Sequence, residues 1–373
     1  MIDSHVHLRG GDWNYKETVE HGLRIALLAG VDGVVDEPNV PYDGVPIISR
    51  RLVEKRLGEA ERAQENLVAE FGYAPFYGLE VGLTSDPDQI AEAVGCYRAF
   101  SPRRYGNFGV VGLKLFAGHS VGDLSVSRFE DQRGIYVDLI SFGYEGVVSV
   151  HPEKEDLIDM RWWDPGHPAS WNRARPLEAE FYSIQDQLRL IQETNFRGHV
   201  HFKHVSTVDS ARLVYYSKPR QRVSSGVTPH HLLLNAEMMR DARGLLMKVN
   251  PPVRRGTDSC QLLKMLIRGE IDIVESDHAP HTFAEKTGGV LGKDGKPVYM
   301  SGIVGLPIMA WMPRILRAEG ISNERIRKIM HTNVDEIFGV QIPENGRTPR
   351  FDLHTEYETD VYEATREYYQ EYD

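Results

Sequence analysis

The chain opens Met1-Ile2-Asp3-Ser4-His5-Val6-His7-Leu8, a strand-forming run that carries two histidines two positions apart. Side chains alternate faces along a strand, so both imidazoles point the same way and make a ready chelate for a metal ion. Taken alone, such a pair is more often one core histidine beside one solvated histidine. It gains meaning from what recurs downstream, where other short apolar runs also end in polar, metal-competent residues.

Ile2 to His7 is followed by a helical pattern from Lys16 to Ala29, apolar at Val19, Leu23, Ala26 and Leu27 and stopped by Gly30. Val31 to Asp36 then reads as a second strand, and Ile47 to Phe71 as a long charged helix ending at Gly72. Pro75 to Val81 is a third strand, with proline at the first residue, where a strand tolerates it. Asp86 to Phe100 begins with Asp-Pro, a good helix start, and leads to Gly109 to Phe116. Further strands fall at Gly146 to His151, Gly198 to His204, Arg222 to Val227 and Ile271 to Ser276. Helical segments at Pro176 to Thr194, Thr207 to Tyr216 and Thr257 to Arg268 separate the later ones.

Eight strands alternating with helices predict a (β/α)8 TIM-type barrel, whose catalytic groups gather at the carboxyl ends of the strands. A doubly wound open sheet has the same alternation, so the pattern alone does not choose. We read residues 1–340 as the barrel and 341–373 as a tail, either a docked helix or partly disordered. The start at Met1 and the polar tail predict a barrel without a full β-sandwich domain. The glycine-rich, aperiodic stretch Thr282 to Gly305 reads as a mobile loop over the strand ends.

A chain of 373 residues accommodates one such barrel with embellishments. Lys plus Arg number 43 against 54 for Asp plus Glu, a net charge of -11, and no basic stretch makes a phosphate-binding face, which argues against nucleic acid. Cys96 and Cys260 have neither the number nor the spacing of a disulfide framework or a thiolate zinc site. No window has the roughly eighteen apolar residues of a membrane span, and no signal segment opens the chain. The expectation is a cytoplasmic protein with a small-molecule substrate.

Placed on the predicted strands, His5, His7, Lys114, His151, His204 and Asp277 share one rim of the barrel. One or two polar residues at strand ends are ordinary; six that bind or could bridge metal are not. His204 competes with His199 and His201, and its position at the strand end favours it. Lys114, within Val-Val-Gly-Leu-Lys-Leu-Phe, must shed its charge, find an anion or be chemically changed, because a bare buried ammonium costs several kcal/mol. The hypothesis here is reaction with CO2 to a carbamate, an anion able to bridge two metals about 3.5–4 Å apart. Asp277 combines the roles of ligand and proton carrier.

These residues sit in stretches that resemble the dihydroorotase family of the amidohydrolase superfamily, over nearly the whole chain. The stretches are Asp3-Ser-His-Val-His-Leu-Arg9, Lys16-Glu17-Thr18, Val35-Asp-Glu-Pro-Asn39, Gly112-Leu-Lys-Leu-Phe116, Val150-His-Pro-Glu153 and Arg175-Pro-Leu-Glu-Ala-Glu180. His201-Phe-Lys-His-Val-Ser206, Thr228-Pro-His-His-Leu-Leu-Leu234, Val249-Asn-Pro-Pro-Val-Arg254 and Ser276-Asp-His-Ala-Pro-His281 complete the set. The resemblance implies two zinc ions, one held by His5, His7 and Asp277 and the other by His151 and His204, with carboxylated Lys114 (N6-carboxylysine, made with CO2 or bicarbonate) between them. It further implies that Arg9, Asn39 and His281 grip a substrate carboxylate and that Asn250 and the backbone near Gly302 touch the ring. The implied reaction is reversible hydrolysis of dihydroorotate to N-carbamoyl-L-aspartate in pyrimidine synthesis, with Asp277 carrying the proton. A homodimer, or docking on an aspartate transcarbamoylase as in some relatives, stays open.

Two departures stand out against the family pattern. Arg9 is followed by Gly10-Gly11-Asp12 where Glu-Pro-Gly is usual, and Glu37 stands where methionine is common. Competing expectations are another cyclic amidohydrolase (dihydropyrimidinase, hydantoinase or allantoinase) and an inactive, metal-free scaffold; the intact set of six ligand positions ranks the scaffold last.

Overall fold

All eight predicted strands form in the computed structural model, which describes residues 1–119, 124–292 and 294–371. They are β1 (Ile2–Val6), β2 (Gly33–Asp36), β3 (Phe76–Gly82), β4 (Phe108–Phe116), β5 (Val147–His151), β6 (His199–Phe202), β7 (Val223–Val227) and β8 (Ile273–Val274). Neighbours in sequence are neighbours in space, and every pairing is parallel. A bridge between Val6 and His278 brings the last strand round to the first. The His7 amide donates to His278 O at 2.7 Å, and the Ser276 amide donates to the Asp3 carboxylate at 2.9 Å. This near-closed ring is the barrel of the (β/α)8 fold rather than an open sheet.

Two strands end two residues before their predicted stops. β6 stops at Phe202 and β8 at Val274 because the chain then turns: His204 and Asp277 adopt φ of 40° and 48°, outside any strand conformation. The helices follow the predicted runs within a few residues and use the expected caps. Thr18 accepts from the His21 amide ahead of the helix Val19–Leu28, and Gly72 ends the helix Arg50–Phe71 at φ 71°. The helix Phe129–Ser141 has no counterpart in the sequence reading; its buried face includes Gln132 beside Ile135, Tyr136 and Leu139, which weakens the apolar period.

Along its axis the barrel interior changes character. Its lower end is filled by Ile2, Phe76, Val111, Val147 and Ile273, packed against Val334, Phe338 and Ile342 from the segment after β8. Above them lies a fully buried polar layer of Ser4, Glu37, Glu80, His201, Lys203 and Glu275. The upper rim carries the candidate site.

The segment Thr282 to Gly305 is more than a loop. Thr282 and Glu285 form a reciprocal capping box on the helix Phe283–Thr287, and Leu291 pairs with Pro297; Lys293 lies outside the described residues. The tail returns to the barrel. The Tyr357 hydroxyl donates to Glu17, Thr359 to His281 O, and the helix Glu363–Gln370 packs Tyr369 inward. The last two residues of the predicted tail lie outside the described ones.

The connection from β1 into the site is clamped by Arg56 of the helix Arg50–Phe71. Its guanidinium donates to Leu8 O, Arg9 O and the Asp36 carboxylate at 2.5, 2.7 and 2.6 Å, all fully buried. Removing the cation leaves Asp36 without a counter-ion, held only by the Tyr77 hydroxyl and the Leu8 amide. Arg56→Met is therefore expected to lose about 3–5 kcal/mol of stability, and pairing it with Asp36→Asn should recover part of the loss. Thermal unfolding of the two variants checks this; an unchanged midpoint in Arg56→Met would refute the clamp.

Candidate metal centre

The turn out of β1 places His5 and His7 with their Nε2 atoms 3.2 Å apart. Asp277, just past β8, sets its Oδ1 at 3.0 Å from His7 Nε2 and 3.3 Å from His5 Nε2. Among the described residues, these three form a group whose ligand atoms all lie within 4.8 Å of one another. On the far side of His5, His151 at the end of β5 points Nδ1 at His204 Nε2, 2.8 Å away, and the His5 and His204 rings are 5.2 Å apart. His201, the rival to His204, instead hydrogen-bonds Ser224 and Glu275 in the layer below.

These ring nitrogens face one another across hydrogen-bond distances, and all of the rings are nearly buried. Burial drives His5 down to about 4, against Asp277 and Glu37, which pull it up. Burial likewise holds His151 and His204 below ordinary imidazole values. Burial alone would raise the Asp277 carboxyl, but His5 and His7 hold it well below the usual range. Imidazole nitrogens and an anionic carboxylate thus converge on shared space, a donor set that fits zinc or a similar divalent ion.

Supporting groups orient these ligands. Asn39 Oδ1 meets His7 Nδ1 at 2.8 Å, which leaves Nε2 for the centre. Glu153 Oε2 meets His151 Nε2 at 3.0 Å and is gripped by Arg175 through Nε and Nη2 at 3.0 and 2.6 Å. Glu275 accepts from the His204 amide at 2.7 Å, and it fits only because position 226 is glycine: a Cβ there would lie 2.2 Å from the carboxylate. The sequence reading quoted Glu153 and Arg175 within motifs and gave them no role. A carboxylate two residues beyond a strand-end histidine was the available signal.

Lys114 has found an anion. Its Nζ lies 2.9 Å from Glu37 Oε1, both fully buried, and Glu37 Oε1 is 3.5 Å from His5 Nε2. The residue that departs from the family pattern is thus the partner of the lysine on which the two-metal reading turns. Lys203 stands below, 3.5 Å from Glu80 and 3.7 Å from Glu37.

A narrow cleft opens over the centre. Its lining takes in His5, His7, Arg9, Asn39, Lys114, His151, His204, Asn250, Asp277 and Gly302, together with Phe116, Val249, Ala279 and Ser301, which the sequence reading missed. Arg9 donates through Nε to Pro280 O, while its buried Nη1 has no partner in the protein. Asn250 Oδ1 is similarly unpartnered. His281 does not line the cleft; it stands behind Arg9, between Lys16 Nζ at 3.1 Å and Ser301 O at 3.2 Å. The Gly302 amide is spent on Lys248 O, and its carbonyl accepts from Lys286.

No family model matches the chain. It is 28% identical over 351 residues to the dihydroorotase of Halobacterium salinarum, covering 91% of this chain and 72% of that one. It is 33% identical over 296 residues to the dihydroorotase of Archaeoglobus fulgidus, with 79% and 62% covered, and 32% identical over 295 residues to that of Thermococcus kodakarensis, with 79% and 59% covered. The chain thus spans about three fifths of the length of the last two. In fold it is similar to L-hydantoinase (dihydropyrimidinase) from Arthrobacter aurescens, at a TM-score of 0.74 and 21% identity over 94% of this chain and 73% of that one. Dihydropyrimidinase from Brevibacillus agri superposes at a TM-score of 0.67 with 19% identity, over 92% and 72%.

If Glu153 fixes the His151 ring, Glu153→Gln should keep the fold and weaken metal binding by about 10- to 100-fold. Competition with a chromogenic chelator measures this directly; unchanged affinity would remove Glu153 from the site.

Proposed function

Because the chain is a homologue of the dihydroorotases and carries the barrel of a cyclic amide hydrolase, we propose that it hydrolyses the ring amide of dihydroorotate to N-carbamoyl-L-aspartate, and runs the reverse closure. The observation that carries this reading is the buried, unpartnered Nη1 of Arg9, which lines the same cleft as the His5, His7 and Asp277 cluster. A guanidinium donor kept dry and unspent beside a metal centre suits a substrate bearing a carboxylate. A neutral ring such as hydantoin or dihydrouracil would leave it unsatisfied.

His5, His7 and Asp277 would hold one zinc ion and His151 and His204 a second, with Lys114 between them as its carbamate; together the ions would polarise the ring carbonyl and acidify water. Around them the protein's own groups divide the work. Arg9 and Asn39 take the ring carboxylate, Arg9 steadied by His281 behind it, while Asn250 faces the ring from the cleft wall. Asp277, held anionic, accepts the proton that water gives up as its oxygen bonds to the ring carbonyl carbon. It returns that proton to the ring nitrogen as the carbon–nitrogen bond breaks. The new carboxyl group then ionises. This reading places the protein in de novo pyrimidine synthesis, in the cytoplasm. No helix among the described residues is long and apolar enough to cross a membrane.

Carboxylation of Lys114 changes the local charge balance, since a carbamate beside Glu37 sets two buried anions together. They are compatible only with cations close by, so lysine carboxylation should accompany metal loading.

Purified, metal-loaded protein should turn over dihydroorotate in preference to dihydrouracil, hydantoin and allantoin. Arg9→Met should raise KM for dihydroorotate about 10- to 100-fold, the ~1.5–3 kcal/mol of a hydrogen bond to a charged group. Lys114→Ala should lower bound metal towards one ion per chain or none. Preference for a neutral ring, or full activity and metal content in Lys114→Ala, would refute the respective parts.

A further inference from the structure

Two lysines beside the cleft have no counter-ion. Lys248, which immediately precedes the cleft-lining Val249 and Asn250, is 5% exposed; its Nζ donates to Tyr299 O at 2.8 Å and Ser301 Oγ at 2.7 Å, and lies 3.7 Å from the Trp171 ring centroid. Lys286, on the helix Phe283–Thr287, is 1% exposed, and its Nζ donates to Lys248 O at 2.8 Å and Gly302 O at 2.6 Å. Among the described residues, neither pairs with a carboxylate.

Four other cations near the site are matched. Lys114 has Glu37, Lys203 has Glu80, Arg175 has Glu153 and Lys16 has Glu285. Among the described residues, Arg9, with its unspent Nη1, lines the cleft and forms no ion pair with a carboxylate; Arg254, set back behind Arg175, likewise forms none. Burying an ammonium without an anion is expensive, and burial pushes Lys286 down to about 7. In a chain of net charge -11, Lys248 and Lys286 beside the cleft and Arg9 within it form no ion pair; burial weighs against the charge on both lysines, and an anion bound in the cleft would favour it.

Ser301 shows how the charge reaches that ligand. Ser301 lines the cleft, and its Oγ accepts from the Lys248 ammonium, so its own proton is free to donate elsewhere. Lys286 meanwhile ties the Lys248 carbonyl to the Gly302 carbonyl, which holds Asn250 and Ser301 on facing segments. We propose that Lys248, acting through the Ser301 hydroxyl, and Lys286 are positioning residues that set the preference of this cleft for anionic over neutral ring amides. The inference rests on the hydrolase reading for its substrate, though its charge argument stands on the cleft alone.

The test compares Lys248→Met, Lys286→Met, Ser301→Ala and the charge-preserving Lys248→Arg, all metal-loaded, on dihydroorotate and on neutral dihydrouracil. Expected is a rise in KM for dihydroorotate of about tenfold in the first three, one hydrogen bond's worth, with kcat within about twofold, KM for dihydrouracil unmoved and Lys248→Arg largely restored. Ser301→Ala removes only a hydroxyl and keeps the test alive if a lysine variant does not fold. Parallel changes on both rings, or none, would overturn the proposal. Malonate binding by calorimetry separates the two readings. If the wild type hydrolyses neither ring, the hydrolase reading fails, and about tenfold weaker malonate binding in the variants still supports the charged wall. Equal malonate binding refutes it.

Discussion

The seam between β1 and β8 is where the molecule is made to work. β8 contributes only Ile273 and Val274 to the ladder, so the first and last strands are joined by a few bonds beyond them: Val6 with His278, the His7 amide with His278 O, and the Ser276 amide with Asp3. Those bonds bring Asp277 within hydrogen-bond distance of histidines about 270 positions earlier. Ordering so long a loop is costly in chain entropy, and the cost is borne by the entire barrel. A cluster that one strand pair could not hold is thereby set by the closure of all eight.

Beneath the rim, the interior is charged where a barrel core is usually aliphatic. Lys203 donates to Ser4 O and sits among Glu80, Glu37 and Glu275; Glu275 in turn holds His201 and the His204 backbone. Replacing this layer by packed apolar residues would be cheaper for stability. What it provides is orientation: the strand ends that carry His5 and His204 rest on fixed hydrogen-bond partners rather than on deformable side chains.

Much of this was legible in the chain. The eight strands and most helices followed from apolar runs and their stops, since β-branched runs such as Val147 to Val150 have few other uses. His204 could be preferred over His201 because it stands at the end of the apolar run, three residues nearer the rim. Less legible were contacts that depend on the exact turn beyond a strand. Nothing local says that His281 stands behind Arg9 rather than beside the ring, or that Glu37 reaches Lys114 from a different strand. Helix Phe129–Ser141 escaped because a buried Gln132, bonded to Ala117 O and Val126 O, fills a place expected to be apolar. Ser301 gave no signal at all, its place in the cleft being set by Lys248 from another segment.

The two candidate ligands that leave the ladder through left-handed turns, His204 and Asp277, carry an evolutionary implication. A histidine or aspartate in that region of backbone space is strained by roughly 1–3 kcal/mol, a penalty that glycine escapes. At positions 204 and 277, therefore, the mutation that abolishes the chelate also relaxes the chain. Drift toward a sturdier fold would erode the centre first, so both side chains persist only while selection on chemistry outweighs selection on stability.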